Sequence, residues 1–115
     1  MSINREDIGK LNLSSVATGK RLKPVKPGDI LARDFMKPLG LSANALAKEL
    51  HVPPNRISSV LNGSRAVTAD TALRLSRYFG GTAQFWINLQ AQYDLELAMR
   101  TTGTKIKKEI TPRAA

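Results

Sequence analysis

The stretch from Asn55 to Thr68 concentrates side chains that are suited to recognising a polar partner. It contains two arginines and several short hydrogen-bonding side chains. Ile57, Val60 and Leu61 recur at i, i+3 and i+4, so they share one face of a helix and leave the polar side chains on the rest of its surface. The spacing therefore predicts a helix with a narrow buried stripe and a broad polar face.

Signals on the N-terminal side predict a second helix joined to this one by a very short turn. Ser42 is a suitable N-cap for a helix whose apolar residues fall at i, i+3, i+4 and i+7 and which should end near His51. Pro53-Pro54 cannot continue that helix but suits the first turn of the next one. Two helices joined in this way form the helix-turn-helix arrangement, in which the second helix enters the major groove of DNA.

Three further helices complete the predicted fold. Turn and capping residues mark their ends: Pro27-Gly28-Asp29 before the first helix, Pro38 and Gly40 after it, Thr68 before the fourth, Gly80-Gly81 after it, and Thr82 before the fifth. No strand pattern is present. The sequence predicts an all-α, five-helix domain over residues 27–100, with an irregular basic extension on each side, residues 1–26 and residues 101–115.

Charge indicates the kind of partner. Eighteen Lys and Arg against nine Asp and Glu give a formal net charge of +9 in 115 residues. This excess favours an anionic partner, namely nucleic acid, an acidic protein surface or membrane headgroups. Most of it lies in the flanks, with +4 in residues 1–28 and +3 in residues 101–115, so charged tails that only aid solubility are the alternative.

Several classes of function are disfavoured by composition. The chain has no cysteine and one histidine, and it lacks a phosphate-binding glycine loop or a paired-carboxylate signature, so we expect no enzyme activity, cofactor or metal site. Because no signal peptide or membrane-spanning segment is evident, we expect a cytoplasmic protein. RNA binding is less favoured because exposed aromatic platforms for stacking are missing.

The polar face of the third helix offers specific contacts to base pairs. Asn55 can make a bidentate contact to adenine, and Ser58 and Ser59 can donate to or accept from several bases. Arg56 and Arg65 can pair with phosphate or guanine, and the position of Arg65 in the loop after the helix favours phosphate. Exposed side chains that are merely solvated are the alternative for each residue taken singly.

Six short motifs resemble the HigA-type antitoxins of the Xre, lambda-repressor-like helix-turn-helix class. They follow one another from Pro27 to about Arg100: Pro27-Gly28-Asp29-Ile30-Leu31, Leu39-Gly40-Leu41-Ser42, Pro53-Pro54-Asn55-Arg56-Ile57, Asn62-Gly63-Ser64-Arg65, Thr68-Ala69-Asp70-Thr71-Ala72-Leu73-Arg74-Leu75 and Phe85-Trp86-Ile87-Asn88-Leu89-Gln90. The last motif makes the resemblance specific, because a generic helix-turn-helix protein does not require it.

The resemblance implies an antitoxin that neutralises a HigB/RelE-like, mRNA-cleaving toxin and represses its own operon. It also implies a homodimer on a palindromic, double-stranded operator. The residues that it places near DNA are Ala43, Asn44, Pro54, Asn55, Arg56, Ser58, Ser59, Asn62 and Arg65. The residues that it places between two copies are Phe85, Trp86, Leu89 and Tyr93. A stand-alone Xre-type repressor without a toxin is the alternative.

Two features depart from the family pattern. His51 occupies the turn position where glycine is common, which predicts a mildly strained, left-handed residue. The chain also has 26 residues ahead of its Pro-Gly motif. One hypothesis is that Ile3 to Val16 orders on the toxin surface, and another is that the Lys-rich ends hold DNA backbone or cover an acidic toxin surface.

Overall fold

Five helices follow one another along residues 23–114, the part of the chain that the computed structural model describes. The first helix, α1, spans residues 27–39, and the others are α2 Ala43–Leu50, α3 Pro54–Leu61, α4 Ala69–Phe79 and α5 Ala83–Glu109. No strand lies within those described residues. The all-α, five-helix fold is therefore confirmed.

Helix α1 changes its winding in the middle. An α-helical turn, Pro27–Ile30, leads into a π-helical turn, Leu31–Met36, and a final turn, Lys37–Leu39. The ring of Pro38 would crowd the carbonyl four residues earlier in an α-helix, and the amide of Lys37 bonds to the carbonyl five residues earlier. The helix thus continues through Pro38 and ends at Gly40, whose φ is +66°.

Side-chain caps begin three of the helices, as the sequence predicts. The oxygens of Ser42, Thr68 and Thr82 accept hydrogen bonds from backbone N–H groups three residues ahead, at 3.1, 3.4 and 3.2 Å. Each cap satisfies an N–H group that the helix itself leaves without a partner. Three of the predicted helix starts are therefore confirmed by local hydrogen bonding.

The core lies where all five helices meet. It contains Leu31, Met36, Leu46, Ala47, Leu50, Ile57, Val60, Val67, Ala72, Leu75 and Trp86. Ile57 and Val60 belong to the predicted stripe of α3, whereas Leu61 is only half-buried. Burial of such a side chain contributes about 1.5–3 kcal/mol, so two residues hold α3 firmly to the domain.

Gly28 brings α1 against the end of α3. A Cβ atom at this position would overlap the carbonyl oxygen of Val60 and approach the Leu61 Cα to 2.7 Å. Only glycine allows this separation between the two backbones. The Pro-Gly element at the start of the domain therefore allows α1 to pack closely against the end of α3.

The end of α5 corrects a prediction. The expectation of an irregular C-terminal extension is wrong for residues 101–109, which continue the helix. The hydroxyls of Thr101 and Thr102 donate to carbonyls four residues earlier, at 3.0 and 2.9 Å, so both residues fit within the helix. Residues 110–114 have no regular secondary structure. Residues 1–22 of the predicted N-terminal extension lie outside the described residues, and residues 23–26 lack regular secondary structure.

A helix that crosses a lipid bilayer must be both long and apolar. No helix within residues 23–114 combines the two properties to the extent that a membrane span needs.

Candidate nucleic-acid interface

The turn between α2 and α3 depends on one left-handed residue. His51 has φ 59° and ψ 46°, and its N–H donates to carbonyls at the end of α2. It is the one non-glycine residue with positive φ among those described, which confirms the predicted left-handed conformation. Pro53 is extended and Pro54 begins α3. The chain therefore passes from one helix to the next within three residues, which restricts the position of α3 relative to α2.

The polar face of α3, the recognition helix of the motif, is exposed at its N-terminal end. The side chains of Asn55 and Ser58 are exposed, whereas Ser59 is half-buried. The Ser58 hydroxyl donates to the carbonyl of Pro54 at 3.3 Å, which leaves its oxygen lone pairs as acceptors. At the start of α2, Asn44 is exposed and Ala43 is half-buried.

The loop after α3 is organised by the side chain of Asn62. Its Oδ1 accepts from the N–H of Ser64 at 2.9 Å, and the carbonyl of Ser59 accepts from the N–H groups of Ser64 and Arg65 at 3.0 and 3.1 Å. The side chain of Asn62 therefore stabilises the turn at the end of α3. The backbone of Arg65 is thereby fixed while its side chain remains exposed.

A chain of charged groups links the recognition helix to α4, and sequence reasoning missed it. Arg56 Nη1 donates to Asp70 Oδ2 at 2.6 Å, and Arg74 Nε donates to the same oxygen at 2.9 Å. Arg74 Nη1 also donates to the carbonyl of Leu50 at 2.8 Å, at the end of α2. Hydrogen bonds from Arg74 and then Arg56 hold the pKa of Asp70 below its usual value. Arg56 is therefore tied to α4, with 29% of its side chain exposed.

These groups border an open depression of about 450 Å³ beside the recognition helix. Its lining consists of Arg56, Arg65, Thr68, Asp70, Thr71 and Arg74. Three guanidinium groups against one carboxylate give it a positive charge, which suits a phosphate of a nucleic-acid backbone. Within the described residues, no group of three or more His, Asp or Glu side chains could hold a metal ion.

The Phe85-Trp86-x-Asn88-Leu89-Gln90 motif packs on the inner side of the domain and contacts the loop between α3 and α4. Trp86 is 1% exposed and packs against Phe35, with ring centroids 5.0 Å apart. The side chain of Gln90 accepts the N–H of Val67 at 2.7 Å and so tethers the loop between α3 and α4 to α5. The motif therefore positions the loop that carries Arg65.

The location of Trp86 also corrects the predicted surface between two copies. Its ring lies inside the core of a single chain, where a second copy cannot reach it. The other predicted residues remain accessible, because Phe85 is exposed while Leu89 and Tyr93 are half-buried. Further exposed apolar residues lie along the same helix, namely Leu95, Leu97, Met99 and Ile106, and Ile110 directly follows it.

Comparison with known proteins agrees with this architecture. A family model described as a helix-turn-helix matches residues 33–86. Virulence-associated protein I of Dichelobacter nodosus is 55% identical over 85 residues, which cover 73% of this chain and 79% of the relative.

Two solved structures extend the comparison to the fold. An addiction module antidote protein of a HigA family from Coxiella burnetii superposes with a TM-score of 0.75 at 50% identity, covering 80% of this chain and all of that one. The antitoxin HigA of Pseudomonas aeruginosa, in a structure with the higBA promoter, gives 0.76 at 40% identity and covers 79% of this chain and 99% of its own. The chain therefore belongs to the HigA family of antitoxins, within the Xre-type, lambda-repressor-like helix-turn-helix class.

Proposed function

We propose that the chain is a sequence-specific DNA-binding antitoxin that neutralises a HigB/RelE-like, mRNA-cleaving toxin and represses its own operon. The observation that carries the DNA-binding part is the exposed polar face of α3, which two buried residues anchor from the opposite side. A helix held in this way fits the major groove. The similarity to an antitoxin whose structure includes its promoter supports the same use of this surface.

Individual contacts follow from the positions of the side chains. Asn55, exposed in the first turn of α3, is assigned a bidentate contact to adenine. Ser58 accepts from a base amino group, because its hydroxyl proton is already donated to Pro54. Arg65 contacts phosphate, and Asn44 does so from the start of α2.

Backbone contacts make the affinity depend on salt. If each subunit neutralises about three phosphates, a dimer covers about six, and the logarithm of the association constant falls with the logarithm of salt concentration at a slope of roughly −5. A slope near zero would contradict this arrangement of arginines around the recognition helix.

The same proposal includes a homodimer that places two recognition helices in successive major grooves of a palindromic operator. Phe85, Leu89 and Tyr93 remain the proposed contacts on α5. The exposed apolar residues Leu95 and Ile106 lie farther along the helix on a neighbouring side, about 110° away by helical geometry, and also favour burial against a protein partner. Sedimentation of the purified chain tests the dimer, since a monomer at micromolar concentration would contradict it.

Co-expression tests the antitoxin role. The chain is produced together with the product of the small reading frame beside its gene, and growth is measured with and without the chain. Rescue of growth together with a co-purifying complex is expected. Failure of both, alongside binding to its own promoter, would leave a stand-alone repressor of this fold.

The N-terminal hypothesis is tested in the same experiment. Deletion of residues 1–24 should weaken the complex if Ile3 to Val16 orders on the toxin, because those apolar residues would lose their burial. Equal toxin affinity of the full and shortened chains would assign toxin binding to the helical domain.

A further inference from the structure

The carboxylate of Asp70 lies between two guanidinium groups at the edge of the proposed DNA surface. Arg56 comes from the first turn of the recognition helix and Arg74 from the middle of α4, and both bond to the same oxygen, at 2.6 and 2.9 Å. The side chain of Asp70 is nonetheless 55% exposed. Water therefore screens the ion pairs, and their stabilisation of the fold is small.

An acidic side chain in the first turn of α4 stabilises the start of that helix. On a surface that meets phosphates it is nevertheless unfavourable, which points to a second role through its hydrogen bond to Arg56. Without Asp70, Arg56 would swing on a flexible side chain and could pair with any phosphate within reach. Such a pairing would strengthen binding to every DNA sequence alike. By holding Arg56 against α4, the carboxylate prevents this guanidinium group from pairing with a phosphate of non-specific DNA.

Arg74 extends the restraint to the turn of the motif. Its Nη1 bonds to the carbonyl of Leu50 at 2.8 Å while its Nε holds Asp70. The carboxylate is thus held on one side by Arg56 of α3 and on the other by Arg74, which is itself bonded to the end of α2. The arrangement links α2, α3 and α4 through a single aspartate.

We infer that Asp70 is a positioning residue that raises sequence discrimination by restraining Arg56, an inference that rests on the proposed DNA-binding function. The restraint costs little on the specific site, where Asn55 and Ser58 supply the base contacts. On other sequences, it keeps Arg56, the one arginine of the recognition helix, from neutralising a phosphate that its side chain would otherwise reach.

The test compares Asp70→Asn with Asp34→Asn. Asp34 is also exposed and paired with an arginine, Arg33 at 3.0 Å, but lies on α1, so both variants raise the net charge by one. Affinity is measured from 50 to 300 mM salt for two duplexes, the region upstream of the gene and a scrambled sequence of equal length. Thermal unfolding and circular dichroism accompany each variant.

One additional neutralised phosphate per chain is two per dimer, which steepens the salt slope by about 1.8 and corresponds to roughly 60-fold tighter binding at 0.1 M salt relative to 1 M. Asp70→Asn should therefore bind the scrambled duplex about 60-fold more tightly than the wild type and lower the specific-to-scrambled ratio by a similar factor. Asp70→Glu should stay close to the wild type. In the Arg56→Gln background, the effect of Asp70→Asn should largely disappear.

Three results would overturn the inference. Equal changes in DNA affinity for Asp70→Asn and Asp34→Asn would show that the effect comes from net charge alone. Equally weakened binding to both duplexes with a lower melting temperature would leave Asp70 a purely structural role, and an undiminished effect in Arg56→Gln would remove the proposed partner. A wild type that does not prefer its upstream duplex would instead contradict the proposed function, and the inference would fall with it.

Discussion

The recognition helix and the distal half of α5 present opposite kinds of surface. Helix α3 has eight residues, buries Ile57 and Val60, and exposes hydrogen-bonding side chains. Helix α5 has 27 residues, and beyond the part that packs on the core it exposes apolar ones, among them Leu95 and Ile106. The first surface is organised within one chain and can meet a polar groove as it stands. The second leaves apolar area in water, which favours a protein partner.

Truncation of one isoleucine in each region should give the largest difference in the free energy of unfolding. Ile57→Ala should lower the free energy of unfolding by about 2–5 kcal/mol, because its fully buried side chain would leave a cavity. Ile106→Ala is the matched control, since that side chain is 49% exposed and its removal should cost well under about 1 kcal/mol in the single chain. Urea denaturation at low protein concentration measures both. Similar decreases in stability would break the distinction between the two regions.

Two polar substitutions separate base recognition from backbone recognition. Asn55→Ala should cost on the order of 1–3 kcal/mol of binding to the operator and relax base preference at one position. Arg65→Gln should weaken binding to all duplexes alike and make the salt slope shallower by about 0.9 for each phosphate that is no longer neutralised. Titrations against a set of single-base variants distinguish the two. If both substitutions behaved alike, the assigned roles would be wrong.

Substitution of one glycine in or beside each region tests whether the backbone there has room for a side chain. Gly103→Ala should stabilise the chain by about 0.5–1 kcal/mol, because the glycine lies within α5 and an added Cβ would lie at an ordinary 3.9 Å from the Cβ of Met99. Gly28→Ala should destabilise it, since the new Cβ meets the backbone of α3. Thermal melts record the two signs. A stabilising Gly28→Ala would mean that α1 does not approach α3 this closely.

The smallest expected effect is the pH dependence of the stability that Asp70 contributes. The pKa of Asp70 is held below its usual value by Arg74 and Arg56, so its stabilising contribution is present above the unfolded-state pKa of about 3.9 and is lost as pH falls through the lower, folded-state pKa. The stability difference between wild type and Asp70→Asn should therefore shrink below about pH 4. Denaturation between pH 7 and pH 2 measures it. A difference that stayed constant to pH 2 would show that the charge of Asp70 makes no contribution.

Features that depend on neighbours in sequence were predictable. The caps at Ser42, Thr68 and Thr82 are hydrogen bonds to N–H groups three residues ahead, and residue type alone signals them. The left-handed His51 follows from a very short turn between two helices, at the position where glycine is common. Such local chemistry fixes where each helix begins and how two of them are joined.

Features that depend on tertiary packing were not predictable. Arg56 and Asp70 are 14 residues apart, and nothing in the pattern of either helix indicates that they meet. The burial of Trp86 was equally hidden, since an aromatic residue near the start of an amphipathic helix suits a core or an interface. The continuation of α5 through Gly103 runs against the low helix propensity of glycine, so no local signal announces it.

Titration of the chain with its own upstream duplex tests the central claim most directly. At 0.15 M salt, the wild type should bind that duplex at least about 10³-fold more tightly than a scrambled duplex of equal length. Asn55→Ala should reduce that preference by about 5- to 150-fold, the equivalent of about 1–3 kcal/mol, while keeping its fold. Equal affinity of the wild type for both duplexes would contradict the claim that the exposed face of α3 reads DNA sequence.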